Sequence, residues 1–248
     1  MKVARFVPRS LAALLAVASA VVATAALAGP SRAAPTPEKA KPTIAILYMD
    51  YTGKDESLAV LKKGIAQMLI SDLSSVSTVQ IVERDRLQDI MDELQLGTTA
   101  KIDPATANKL GKLLGAKYMV LGGFFDLLGT LRVDARLVEV ETGKVIRSVG
   151  AQGKQDSFLD IEQKLVGDLT SVLTSNDIDA PPPAADPVRP PAHPHPKGLK
   201  TKTAVRYGKA LDFMDKGKKE EAKQELQAVV AEQPDFALAS ADLQQLMQ

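Results

Sequence analysis

The chain has 248 residues, 45% of them hydrophobic, 25% charged and 4% aromatic, with no Cys, no Trp and a formal charge of +1. That length supports one or two packed domains, and the mixed charge argues against a disordered or fibrous chain. The missing cysteines exclude disulfides, thiolate metal sites, cysteine nucleophiles and a lipidated N-terminal cysteine; two histidines leave little room for His-dependent catalysis, and the small net charge gives no polycation for nucleic acid.

Lys2, Arg5 and Arg9 precede a run of apolar and small residues over 11–28. This is the pattern of a secretory signal peptide cleaved after Ala28, or as late as Ala33. A retained membrane helix is the competing reading, and the small residues and the prolines at Pro30, Pro35 and Pro37 favour cleavage. Removing residues 1–28 leaves 28 basic against 30 acidic residues, a charge of −2. Residues 29–42 read as a spacer, and no later stretch is long and apolar enough for a transmembrane helix.

Residues 43–48 are a short apolar run that predicts a buried strand, closed by a turn at Tyr51, Thr52 and Gly53. Leu58, Leu61, Ile65, Met68, Leu69 and Leu73 recur at three and four residues and predict an amphipathic helix over 56–74. A second strand is expected at 79–82 and a helix at 84–94, carried by Leu87, Ile90, Met91 and Leu94. Asp103 before Pro104 is a good N-cap followed by proline at the first helical position, and that helix is expected to stop at Gly115.

The period then changes. Residues 118–125 are a mostly apolar strand with Gly122 and Gly123 at its centre. Over 131–140, Leu131, Val133, Ala135 and Leu137 alternate with Arg132, Asp134 and Arg136. A turn at 141–144 leads to a strand at 145–152, so three strands form an antiparallel meander. A helix over 160–173 closes a domain at 43–174. The expected fold class is α/β (α+β): a mixed sheet with an antiparallel meander flanked by helices, followed by a small all-α helical hairpin domain.

Eight of the fifteen prolines fall in 180–196. Residues 175–198 therefore read as a stiff linker expected to hold the helical tail at 199–248 apart, by on the order of 50 Å if extended; a tail hairpin that packs on another chain or on the first domain is the other expectation. A proline ligand for an aromatic groove is the other use of such a stretch.

The segments IAILYMDYTGKDESL, GIAQMLISDLSSVSTVQIVERDRLQDIMDELQL, DPATANKLGKLLGAKYMVLGGFF and LRVDARLVEVETGKVI, spread over about 43–173, resemble the family of the curli secretion component CsgG. The resemblance implies a periplasmic or outer-membrane-associated assembly domain, related in shape to the N-terminal domain of TolB. The curli component itself is a lipid-anchored pore. This chain departs from it in having no Cys, and its strand connections near 126–130 and 141–144 leave little room for membrane hairpins.

The tail, YGKALDFMDKGKKEEAKQELQAVVAEQPDF, resembles one tetratricopeptide repeat, with a cap helix at 237–247. Ala210 takes the small position, Phe213 the aromatic one, Ala222, Leu226 and Val229 the packing positions of the second helix, and Gly217 the turn. Arg206 stands where the repeat carries a large apolar residue.

Chemistry is harder to find. His193 and His195 lie in the proline linker without a Cys or a carboxylate pair to complete a metal shell. Neither a phosphate-binding loop nor a serine-nucleophile elbow occurs. Glu83, Arg84, Asp85 and Arg86 fit a helix N-terminus, with the acids complementing its dipole and the arginines paired or solvated. Asp89, Asp92 and Glu93 read as a solvated face. Asp134 between Arg132 and Arg136 reads as cross-strand pairing or, more sharply, as a partner-binding surface. Residues 48–51 (Tyr48, Met49, Asp50, Tyr51), at the exit of the first strand, suit either ligand contacts or packing.

The sequence thus predicts a non-enzymatic exported envelope protein that acts in protein interaction or assembly, with no catalytic residue, cofactor or metal. Its expected partner is an envelope protein or a second copy of the chain, not nucleic acid. The alternatives are a subunit of a curli-type outer-membrane pore and a hydrolase with an unrecognised carboxylate site, for which Asp50 and Asp134 would be the residues to test.

Overall fold

A computed structural model describes residues 40–96, 102–175 and 198–248. The expected signal peptide, most of the spacer, the proline linker and its two histidines lie outside the described residues. The first strand, β1 (Thr43–Ile46), is flanked on both sides by parallel partners, β3 (Gln80–Ile81) and β4 (Tyr118–Leu127). From β4 the sheet continues antiparallel through β5 (Thr130–Glu139) and β6 (Val145–Lys154), in the order β3-β1-β4-β5-β6. A two-residue strand, β2 (Asp50–Tyr51), extends β4 on the β1 side. The fold is the mixed sheet and antiparallel meander that the alternating pattern predicts.

The residues expected as a turn at Tyr51 are in part this strand β2. Its backbone reaches β4 because Gly123 has no side chain: a Cβ there would stand 2.9 Å from the Asp50 carbonyl oxygen. The Gly122-Gly123 pair therefore serves close backbone approach. The helix expected over 56–74 begins as a 3₁₀ turn at Glu56–Val60, capped by Asp55, and becomes α-helical as α1 (Leu61–Leu73). The meander strands run longer than expected at their far ends, because β4 and β5 zip to a two-residue turn at Leu128 and Gly129, both at positive φ.

Leu131, Val133, Ala135 and Leu137 are buried under α4 (Phe158–Leu173), which packs beside α1 in the helical layer over one side of the sheet. At β6 the helix comes close enough that a Cβ on Gly153 would meet Ile161 at 3.1 Å. On the opposite side α3 (Pro104–Leu113) covers one end of the meander only, with Gly111 against Val140 and Met119. Asp103 caps α3 as expected, accepting from the Ala105 and Thr106 amides, and Gly115 ends it at positive φ. The helix α2 (Arg84–Glu93) lies beyond β3 in sequence and contacts α1 and α3.

The tail forms α5 (Thr201–Asp215), α6 (Lys219–Glu232) and α7 (Ala237–Leu246), with Gly217 turning the chain at positive φ. The expectation that a linker holds these helices at a distance is corrected here. They pack directly on α1, and the described residues from 40 onward form one compact unit. Gly64 of α1 faces the backbone of Ala204 and Gly208, while a Cβ on Gly208 would fall 2.3 Å from the Val60 carbonyl oxygen. Glycine at this contact lets the two backbones approach, so that Ala204, Tyr207 and Leu211 of α5 join the same apolar core as Leu61, Ile65 and Leu69.

Candidate functional site: an open sheet face beside a buried charged seam

Beyond the reach of α3, nothing among the described residues covers the outer side of the meander. It carries Leu121, Phe125 and Leu127 from β4, Arg132, Asp134 and Arg136 from β5, and Ser148 and Gln152 from β6. Leu127 is 61% exposed and Phe125 is exposed as well. Arg132 grips Asp134 through two nitrogens, at 2.7 and 2.8 Å, and reaches Gln152 of the next strand at 3.2 Å. Asp134 is thus paired along its own strand rather than across strands, because residues two apart share a face. That pairing raises the Arg132 guanidinium pKa above its ordinary value.

Arg136 makes no ion pair or hydrogen bond among the described residues. It borders a cleft of about 230 Å³ where the sheet meets α3. Leu47, Ile102, Pro104, Leu121 and Val138 supply apolar walls, and Asp50, Asn108 and Arg136 supply polar groups. The strand exit at Asp50 and the free cation on β5, far apart in sequence, therefore line one cleft. Asp50 stands there by virtue of β2 pairing with Gly123. A mostly apolar cleft with a few convergent polar groups can hold a side chain or small ligand by burial and orient it by charge.

The neighbouring tyrosines have packing roles. Tyr48 donates to Gln88 Oε1 at 2.7 Å, and its ring lies 5.6 Å from Lys63 Nζ. Burial and then the nearby Asp215 push its hydroxyl pKa well up. Tyr51 donates to Asp126 and stacks at 4.9 Å on Phe124; burial and that hydrogen bond push its pKa up to about 12.

A second group of charges is buried where α5 meets the first domain. Lys63 Nζ of α1 contacts Asp215 at 2.6 Å and Asp212 at 3.1 Å, and Arg84 of α2 contacts Asp215 at 2.5 Å. The Lys63, Arg84 and Asp215 side chains are 5%, 6% and 7% exposed. Burial alone would lower the Arg84 pKa, and the Asp215 carboxylate more than reverses this. Burial likewise opposes the charged form of Asp212, yet hydrogen bonds from Lys216 and Lys63 hold its pKa below the usual range. Arg84 is thus neither solvated nor paired only locally, as its place at a helix N-terminus suggests. The sequence marks Asp212 and Asp215 only by their i, i+3 spacing on one helix face.

Two further buried carboxyls escape sequence reading: Asp72 of α1 and Glu162 of α4, 2% and 3% exposed. Burial, and then the facing Asp72, push the Glu162 pKa well above the ordinary carboxylate range. Both lie on helices whose apolar stripes suggest only packing. The outward face of α2 is partly as expected, with Asp92 accepting from Gln88 at 2.8 Å.

A protein-family model described as the curli production assembly/transport component CsgG matches residues 31–127. No curated protein matches the chain. Among solved structures, the chain is similar to the LpoB C-terminal domain from Salmonella enterica, at 16% identity and TM-score 0.40, over 48% of this chain and 87% of that one. It is similar to lipoprotein GNA1162 from Neisseria meningitidis at 15% identity and TM-score 0.42, over 55% and 99%. A PelC dodecamer from Paraburkholderia phytofirmans gives 12% identity and TM-score 0.37, over 55% and 90%. No helix among the described residues is long and apolar enough to cross a membrane.

Proposed function

We propose that the chain is a CsgG-type module of the bacterial cell envelope, exported by its N-terminal signal, non-enzymatic, and devoted to protein interaction or assembly. The working surface is the uncovered meander face with the cleft at α3. One observation carries this reading: Arg136 stands exposed and without an ion-pair partner beside an apolar cleft, on the same face as Phe125 and Leu127. The other cations described at the seam and on β5 are committed to carboxylates of the chain itself. A free cation amid exposed apolar groups suits a partner that brings a carboxylate and an apolar anchor. The match of residues 31–127 to the CsgG model supports the family and, with it, the envelope setting.

The pairing of Asp134 with Arg132 supports an electrostatic role for this acid over the hydrolase reading. The helical tail is read as a single tetratricopeptide-like hairpin: Ala210 and Ala222 are fully buried at its close contact, and Arg206, the departure from the repeat, bridges α5 and α6 through Glu225 and Glu232. Its role is to buttress α1, in place of the separate partner-binding groove expected of a free repeat.

The test is native electrophoresis of envelope extracts. The wild type is expected in a complex larger than its own assembly, and Arg136→Glu with Phe125→Asp is expected to release it. A wild type found free in the periplasm, or a complex untouched by the double substitution, would refute the reading.

A further inference from the structure

The strand β6 is the long edge of the sheet, with no strand paired to its outer side among the described residues. The Gln155 amide bonds to the Gly129 carbonyl. Antiparallel strands alternate hydrogen-bonded and non-bonded pairs, so this bond fixes the parity of the β5–β6 ladder. The backbones of Arg147, Val149, Ala151 and Gly153 point toward β5, and those of Ser148, Gly150 and Gln152 point away from it. The same two-residue period sets Gly150 against the Asp134 side chain on the outer face and Gly153 against Ile161 on the helical face. Among the described residues, nothing bonds to the outward amides and carbonyls of Ser148, Gly150 and Gln152.

Exposed edges are ordinarily guarded by proline, by a bulge or by lysines along the strand. Between Arg147 and Gly153 β6 has no proline and no register shift, and its outward positions are Ser, Gly and Gln. The edge is also self-complementary. When a second copy of β6 runs antiparallel about Gly150, Ser148 faces Gln152 of the other copy, Val149 faces Ala151, and Arg147 faces Gly153. Each bulky side chain meets a small one. Lys154 falls opposite Ile146, so no cation opposes a cation. A shift by two residues toward the strand start would instead set Lys144 against Lys154. The other edge of the sheet, β3, is two residues long. Head-to-tail growth therefore has no second edge, and pairing closes at two copies.

We infer that β6 pairs with β6 of a second copy of this chain, about a two-fold axis at Gly150, joining two sheets through about six backbone hydrogen bonds. The occupant is the chain itself, so the pairing forms in the purified protein whether or not the open meander face binds a partner.

Sedimentation of the purified full chain tests it, and the expected mass is that of two chains. Gln152→Pro removes an amide that faces away from β5 and leaves the inner ladder intact, so it is expected to give a single chain with unchanged circular dichroism. Ser148→Lys with Gln152→Lys sets lysines directly opposite across the axis and is expected to separate the copies. Mixing it with a Ser148→Glu, Gln152→Glu chain is expected to restore a mixed dimer, an outcome a misfolded variant cannot give. Because the chain has no cysteine of its own, Ser148→Cys with Gln152→Cys is expected to form a disulfide-linked dimer on oxidation. A wild type that sediments as one chain at high micromolar concentration would overturn the inference. So would lysine and glutamate variants that dimerise alone as well as the wild type does.

Discussion

The seam under α5 and the open face of the meander use the same residue types to opposite ends. At the seam, Lys63, Arg84 and Asp215 are withdrawn from water, and each is held by another. On the meander, Arg132, Asp134 and Arg136 stand in solvent, and one of the three has no partner among the described residues. An exposed pair contributes little to stability, whereas removing one member of a buried cluster strands a charge. Charge at the seam therefore belongs to the fold, and charge on the meander is available for recognition.

Asp215→Ala strikes the seam hardest. It leaves Lys63 and Arg84 buried and short of a carboxylate, and is expected to cost about 3–5 kcal/mol, read as a lower denaturant midpoint. An Asp215→Ala protein as stable as the wild type would make the seam ornamental. Next comes Gly208→Ala. Its new methyl group meets the Val60 carbonyl, and the forced separation of α5 from α1 is expected to cost about 1–3 kcal/mol, with a matching loss of protection from hydrogen exchange in α5.

Glu162 gives a smaller effect with a definite sign. Its pKa is raised in the folded state by burial and by Asp72. The native state therefore holds a proton that the unfolded state has released, and stability falls as pH rises from the ordinary carboxylate range through the raised value. Glu162→Gln is expected to flatten that fall, so denaturation midpoints at pH 5 and pH 8 should converge relative to the wild type; an unchanged slope would contradict the assignment. The smallest effect on stability is expected from Arg136→Glu. Its melting curve should overlay that of the wild type while envelope binding is lost.

The antiparallel meander was legible because β5 alternates cleanly and short turns join it to β4 and β6, and α3 was legible from Asp103-Pro104 and Gly115. The docking of α5 was not. Gly208 and Gly64 look like weak points within helices until the facing backbone is seen, and a proline-rich stretch suggests separation even when the segments on either side pack together. The buried Lys63, Arg84, Asp72 and Glu162 were hidden for a related reason: a charged residue on an amphipathic pattern is normally solvated, and only the partner element shows which ones are not. Of the candidate site, Asp50 and Arg136 were each visible as polar residues at a strand exit and on a strand face. Their sharing of one cleft depends on β2 and on Gly123, a tertiary pairing that periodicity does not carry.

Partners are expected to meet the open sheet face, while the tail helices serve the fold. A photoreactive amino acid placed in cells at position 136, at 125, or at the exposed Gln224 of α6 tests it directly. Protein adducts are expected from 136 and 125 and none from 224. Adducts from 224 with none from the meander would contradict it.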